Sequence, residues 1–134
     1  MVSDSVKLKD DDILFKDLSF EIVGAAFSVY NELGPGHLEK TYEKALMKEL
    51  TNRGIRYKTQ VLVPVIYSGE VVGNNRLDLV VENKIIVELK TGSYFDLSNK
   101  KQVNKYLAVT KLELAILLNF TKDGVRQKRI VNLK

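Results

Sequence analysis

The sequence predicts an α/β domain whose central mixed β-sheet is flanked by helices, in the order α-α-β-β-β-α-β-β. Three observations carry this. Apolar residues recur at helical spacing twice in the first part of the chain. Three segments rich in Val, Ile and Tyr then follow, with only short turns between them. A helical segment separates the third of these from the nearly unbroken apolar run LELAILLNF, Leu112 to Phe120. Strands joined by short turns pair antiparallel, and a strand reached through a helix returns parallel, so the sheet is mixed.

The first helix is expected from about Asp17 to Leu33. Leu18, Ile22, Ala26, Val29 and Leu33 share one side, and Asp17 is placed to serve as N-cap. Gly34-Pro35-Gly36 ends it, because glycine accepts the left-handed position after a helix and proline cannot continue one. A second helix is expected from Leu38 to Arg53, burying Leu38, Tyr42, Ala45, Leu46 and Leu50. Tyr57 to Tyr67 reads as a strand, and Pro64 marks it as an edge strand or a bulge. Val71 to Val81 is the second strand, with a break expected at Gly73-Asn74-Asn75, and Ile85 to Lys90 is the third. Leu97 to Thr110 reads as a helix with Val103, Tyr106, Leu107 and Thr110 on one side. The run LELAILLNF, stopped by TKDG, reads as a buried strand, and Arg129 to Leu133 as a short last one.

Composition narrows the function classes. A chain of 134 residues fits one domain and buries a core without staples. There is no cysteine, which removes disulfides, thiolate metal sites and cysteine nucleophiles, and fits the cytoplasm. No apolar stretch is long enough for a membrane helix, so no membrane partner is expected. The first twelve residues, MVSDSVKLKDDD, lack the apolar segment of a signal peptide and read as a flexible tail. Residues 13 to 134 are then the single domain. The net charge of +4 permits a polyanionic partner without specifying one.

The stretch RLDLVVENKIIVELK, Arg76 to Lys90, carries the chemistry. Alternation puts Leu77, Leu79 and Val81 on one face with Ile85, Val87 and Leu89, and leaves Asp78, Glu88 and Lys90 on the other. A three-residue loop, Glu82-Asn83-Lys84, keeps the two faces unmixed; Val81 then faces Ile85, and Asp78 faces Glu88. Opposed carboxylates repel and one of them loses acidity unless a cation compensates. Lys90 compensates one charge and a divalent cation both. Asp, Glu and Lys together suit metal-dependent phosphodiester hydrolysis. The same pattern also describes a solvated sheet face. A helix crossing this face, carrying Gln102 and Tyr106 four residues apart, favours a site.

Asp78, nine intervening residues, Glu88-Leu89-Lys90, and then Gln102-x-x-x-Tyr106 resemble the PD-(D/E)XK nuclease superfamily. GHLEKTYEKAL, with Gly36, Glu39 and Tyr42, resembles the signature of the GxxExxY protein family. LLNF, Leu117 to Phe120, and RIV, Arg129 to Val131, are similar to it as well. The resemblance covers about residues 17 to 132 and implies a restriction-endonuclease-like core. It implies that Asp78, Glu88 and the Leu89 backbone carbonyl bind Mg²⁺ or Mn²⁺ and that Lys90 positions or activates water. It also implies support from Gln102 and Tyr106, and a helical carboxylate, Glu39, approaching the same site. Two departures stand out: Leu77 occupies the place of the proline, and DLSNKK before Gln102 is basic.

Lys100, Lys101 and Lys105 on the third helix, with Lys111, Arg126, Lys128 and Arg129, are candidates for nucleic-acid phosphates. No base-reading module is present, so contact would be with backbone or shape. The expected function is a Mg²⁺-dependent nuclease acting on DNA, or on RNA. The alternative is a catalytically silent nuclease-fold module that binds nucleic acid or a partner protein. The small size leaves little room for a separate recognition domain, so help from a homodimer or another partner is expected in either case.

Overall fold

The computed structural model describes residues 15–92 and 97–132. The expected tail, residues 1 to 12, and Leu133 lie outside them. Helices α1 (Lys16–Leu33) and α2 (Glu39–Asn52) come first. Strands β1 (Tyr57–Tyr67), β2 (Glu70–Val81) and β3 (Ile85–Thr91) follow, then α3 (Leu97–Thr110), β4 (Leu114–Thr121) and β5 (Gly124–Val131). The five strands form one sheet in the order β1-β2-β3-β4-β5. Only β3 and β4, joined through α3, run parallel. This is the predicted mixed sheet and element order.

Helices α1 and α2 cover one face. Ile22, Ala26 and Val29 of α1, with Tyr42, Leu46 and Leu50 of α2, pack on Leu79, Val81, Ile85, Val87, Leu89, Leu114, Ile116, Leu118 and Phe120. Arg53 ties the two helices together: its guanidinium reaches Glu49 at 2.8 Å, Glu21 at 3.0 Å and the Ser28 hydroxyl at 3.0 Å. The Tyr30 hydroxyl donates to the Thr121 carbonyl at 2.7 Å and fixes α1 to the end of β4. On the other face, Val103, Tyr106 and Leu107 of α3 pack on Leu77, Val80, Ile86, Ala115, Leu117 and Ile130. The Asn132 carboxamide donates to the carbonyls of Leu107 and Leu112 and closes the end of α3 against β5.

Several boundaries differ from the sequence reading, each for a local reason. Phe15, with left-handed φ, stands at the N-cap of α1 with no side-chain cap; Asp17 sits inside the first turn, where the helix dipole favours it. Leu38 precedes α2 and is 77 % exposed, so it is not part of the buried face. β2 runs through Gly73-Asn74-Asn75 unbroken; the register shifts just before it, where Val65 pairs with Gly73 and Ile66 with Val71, leaving Val72 of β2 as the extra residue. β5 begins at Gly124, earlier than Arg129, because the Thr121–Gly124 turn folds it directly back onto β4. β1 pairs only with β2, the edge position that Pro64 implied.

The most consequential difference is Leu77. It packs with Val80 and Ile86 under α3, whereas Leu79 packs under α1 and α2. Strict alternation would keep Leu77 and Leu79 together. The strand therefore switches faces at Asp78. Gln60, on β1 between Thr59↔Leu79 and Val61↔Leu77, has a left-handed φ of 51° at the same level. Both strands are distorted at one rung, and that rung carries Asp78.

Candidate active site

The β2–β3 hairpin is regular at its turn. Val81 pairs with Ile85, Val80 with Ile86 and Leu79 with Val87, the register the three-residue loop predicts. Glu82 and Asn83 both take left-handed φ, and Lys84 N–H donates to the Val81 carbonyl at 2.9 Å. Glu82 holds the turn from outside, accepting from the Arg56 backbone N–H at 2.9 Å and its guanidinium at 3.0 Å.

Past Leu79 the backbone ladder between β2 and β3 stops. Side chains replace it. Asp78 N–H donates to Glu88 Oε2 at 2.9 Å, and Leu89 N–H donates to Asp78 Oδ2 at 2.9 Å. The two carboxylates thus bridge a fork in the sheet. Each spends one oxygen on a backbone N–H across the fork. Among the described hydrogen bonds, Asp78 Oδ1 and Glu88 Oε1 accept none. Glu88 is buried and Asp78 half-buried.

Burial dominates the electrostatics. Desolvation, then repulsion from Asp78, pushes the Glu88 carboxyl up to about 8, against the opposing pull of the Asp78 N–H and Lys90. Desolvation raises Asp78 as well, opposed by the Leu89 N–H and Lys90. Lys90 follows Glu88 by two residues on the same strand face, and its charge acts on Asp78, Glu88 and Glu39.

Glu39 comes from the first turn of α2. Burial and Asp78 raise its carboxyl, and Lys90 opposes them, so it shares the field of the fork. One helical turn on, the buried Glu43 feels the same: burial and then Asp78 raise it. Its Oε2 accepts from the Gln60 carboxamide at 3.1 Å. Gln60 is the residue in left-handed conformation beside Asp78, so the strain on β1 aims an amide at α2. Glu43 went unnoticed in the sequence, although its spacing of four from Glu39 puts it on the same helix face. On the opposite side, α3 buries Tyr106, whose hydroxyl is raised by burial and then by Glu88 and Asp78, and hydrogen-bonds Gln102. The expected site residues Asp78, Glu88, Lys90, Glu39 and Tyr106 therefore share one electrostatic field, with Gln102 bonded to Tyr106.

The remaining motif residues interlock. The Tyr42 hydroxyl donates to the Gly34 carbonyl at 2.7 Å, and His37 N–H donates to that hydroxyl at 3.3 Å. The Tyr42 ring stacks on Phe120 with centroids 4.3 Å apart and planes within 9°. GHLEKTY and LLNF, distant in sequence, therefore meet through one aromatic pair. Tyr42 latches the glycine loop and sets the start of α2, from which Glu39 projects. His37 holds the Leu33 carbonyl at 3.0 Å, a loop role. Lys101 and Lys105 are exposed and Lys100 half-buried on α3. Arg126 and Lys128 pair with Asn119 and Leu117, on the sheet face that carries Glu88 and Lys90. Arg129 departs from the expected basic group: it turns to the α1 face and donates to the Ser19 hydroxyl at 2.7 Å.

The donor set suits a hard divalent cation. Two carboxylates, each with an uncommitted oxygen, fit Mg²⁺ or Mn²⁺, which complete their shells with water and substrate oxygens.

The PD-(D/E)XK nuclease superfamily model matches residues 16–131, nearly the whole described chain. The chain belongs to the PD-(D/E)XK nuclease superfamily. Solved structures share its fold, among them two that overlap most of this chain. The crystal structure of SSO0001 superposes with a TM-score of 0.57 at 21 % identity, over 92 % of this chain. This chain spans 62 % of the length of that one. An alkaline exonuclease (LHK-Exo) from Laribacter hongkongensis superposes with a TM-score of 0.53 at 12 % identity, over 83 % of this chain and 69 % of its own. At such identities the likeness is one of fold. No curated protein matches the chain in sequence. For a PD-(D/E)XK chain, the Asp on one strand and Glu-x-Lys on the next, at a fork in the sheet, is the arrangement to examine for chemistry.

Proposed function

We propose that this PD-(D/E)XK chain hydrolyses phosphodiester bonds in DNA with Mg²⁺, or Mn²⁺, as cofactor, RNA being the other substrate the same chemistry accepts. We also propose that it belongs to the GxxExxY branch, on the strength of the Gly36, Glu39 and Tyr42 spacing and of Tyr42 stacking on Phe120 of LLNF. The observation that carries the reading is the pair of the half-buried Asp78 and the buried Glu88, set where the β-ladder opens. Two partly desolvated carboxylates side by side are costly without a cation, and a divalent ion offsets both.

Asp78, Glu88 and the Leu89 carbonyl would hold the ion. When bound, it would acidify a water and neutralise charge building on a phosphate oxygen. Lys90, an ammonium on a flexible stem, orients that water and donates to the same phosphate oxygens. Glu39 borders Lys90 and Asp78 and receives or relays the water's proton, which its raised affinity for protons favours. Tyr106, buried on α3 and electrostatically coupled to Glu88 and Asp78, would border the Glu88 side, with the exposed Gln102 at its margin. Lys100, Lys101 and Lys105, with Arg126 and Lys128 across the sheet, lie at the margins and contact flanking phosphates. These contacts carry no sequence information, so the enzyme reads backbone or shape.

The test is cleavage of supercoiled plasmid, linear duplex, single-stranded DNA and RNA by the purified protein with Mg²⁺ or Mn²⁺. At least one form is cut by the wild type, and by neither Asp78→Ala nor an EDTA-treated sample. If none is cut while Mg²⁺ still raises the melting temperature, the chain is a metal-binding module and hydrolysis is the wrong reading.

A further inference from the structure

The run LELAILLNF is apolar at every buried position except one. Asn119 is fully buried, 0 % exposed, and neither its Oδ1 nor its Nδ2 has a hydrogen-bond partner. Such a group is expensive: a buried carboxamide without partners forfeits its hydration, and an apolar residue of similar volume would be at least as stable. A polar side chain kept under those terms calls for a partner that is absent in this state.

Its position indicates which one. Leu114, Ile116, Leu118 and Phe120 of β4 face α1 and α2, and Ala115 and Leu117 face α3. Alternation therefore puts Asn119 on the α3 side. On β3 the same face carries Ile86, Glu88 and Lys90. The parallel register pairs Glu88 with Leu117 and Lys90 with Asn119. Asn119 is thus the immediate strand neighbour of Lys90, on the face that carries the fork.

We propose that Asn119 is a positioning residue for Lys90: its carboxamide oxygen accepts the Lys90 ammonium once a divalent cation occupies Asp78 and Glu88. This rests on reading those two carboxylates as metal ligands and Lys90 as the assisting cation. The reason is a change of partners. Without an ion, the Lys90 charge is drawn to Asp78, Glu88 and Glu39. The three ion pairs among the described residues all lie elsewhere, so this attraction is not locked into a contact. A cation on the carboxylates removes that attraction and repels the ammonium. An uncommitted acceptor on the same face, on the neighbouring strand at the same register, is Asn119 Oδ1. The bond would hold the ammonium beside the fork with its remaining N–H groups free for water and phosphate. A lysine with three donors needs such an anchor to point in one direction.

The experiment is a double-mutant cycle of Lys90→Met and Asn119→Leu, read by thermal melting with EDTA and with Mg²⁺, and by kinetics on the cleaved DNA form. In EDTA, Asn119→Leu leaves the melting temperature equal or higher whichever residue stands at 90. With Mg²⁺, it reduces the metal-induced rise when Lys90 is present and not when Lys90 is replaced, a non-additivity confined to the metal-bound state. Cleavage falls about 10-fold or more in kcat, with KM for DNA unchanged. Asn119→Ala, read in the same way, covers the case of a leucine that does not pack. A metal-induced rise that Asn119 variants leave intact, or alter equally in both backgrounds, overturns the proposal and leaves the metal site standing. No metal-induced rise in the wild type overturns the metal site and the proposal together.

Discussion

The two ends of the β2–β3 hairpin are built from the same strands to opposite purposes. At the turn, Leu79, Val80 and Val81 pair with Val87, Ile86 and Ile85 through a regular ladder, and every one of these side chains is buried and apolar. One residue further along, the ladder is replaced by carboxylates that accept from backbone N–H groups across the fork, Glu88 from Asp78 and Asp78 from Leu89. The regular end draws its stability from apolar burial. The forked end holds two carboxylates partly out of water, at an electrostatic cost that raises both of them. Each end needs the other: without the rigid rungs above it, an Asp78–Glu88 pair would relax apart into solvent.

Substitutions separate the ends. The largest effect falls on cleavage at the fork, where Asp78→Ala lowers kcat by on the order of 10³-fold, the scale of losing a transition-state stabiliser. Leu79→Ala, one position toward the turn, removes a fully buried side chain. It lowers unfolding free energy by about 2–5 kcal/mol in denaturant titrations and reduces activity only as far as the folded fraction falls. If Leu79→Ala instead abolished cleavage with stability intact, the division between the ends would be wrong.

A second contrast is pH. The Glu88 carboxyl is raised to about 8 by burial in the folded chain and titrates in the ordinary carboxylate range when unfolded. Between those values the folded state holds the extra proton. Metal-free stability is therefore highest below the ordinary range and falls as pH rises to about 8, with Asp78, Glu39 and Glu43 acting in the same direction. Glu88→Gln flattens the decline measured by melting in EDTA. Mg²⁺ displaces the proton, so its stabilising effect grows with pH across the same window. A metal-free melting temperature that rises from pH 5 to pH 8 would contradict this. The smallest effect is at the margin: Lys101→Ala with Lys105→Ala weakens DNA binding and reduces its log–log salt slope by about 1–2, leaving kcat unchanged.

Much of the hairpin was legible because strand alternation and loop length are arithmetic. Val81 against Ile85, and hence Asp78 against Glu88, followed from keeping apolar residues together. The same arithmetic erred at Leu77, because it assumes a regular strand and the fork is where regularity ends. Gln60 shows the limit from the other side: nothing in YKTQVLV announces a left-handed residue, since that conformation is imposed by the distorted rung beside it. Glu43 was legible through its spacing from Glu39. Asn119 lies within LELAILLNF, but its full burial and lack of a partner are tertiary facts. The meeting of Tyr42 with Phe120 depends on how α2 lies across the sheet, which no local pattern encodes.

The account turns on the fork being a hydrolytic metal site in which Lys90 works on the reaction and not on the fold. Lys90→Ala tests this most directly, assayed against wild type for DNA cleavage in Mg²⁺ and for the Mg²⁺-induced rise in melting temperature. The expected result is loss of cleavage with the metal-induced rise retained. Undiminished cleavage by Lys90→Ala would contradict it.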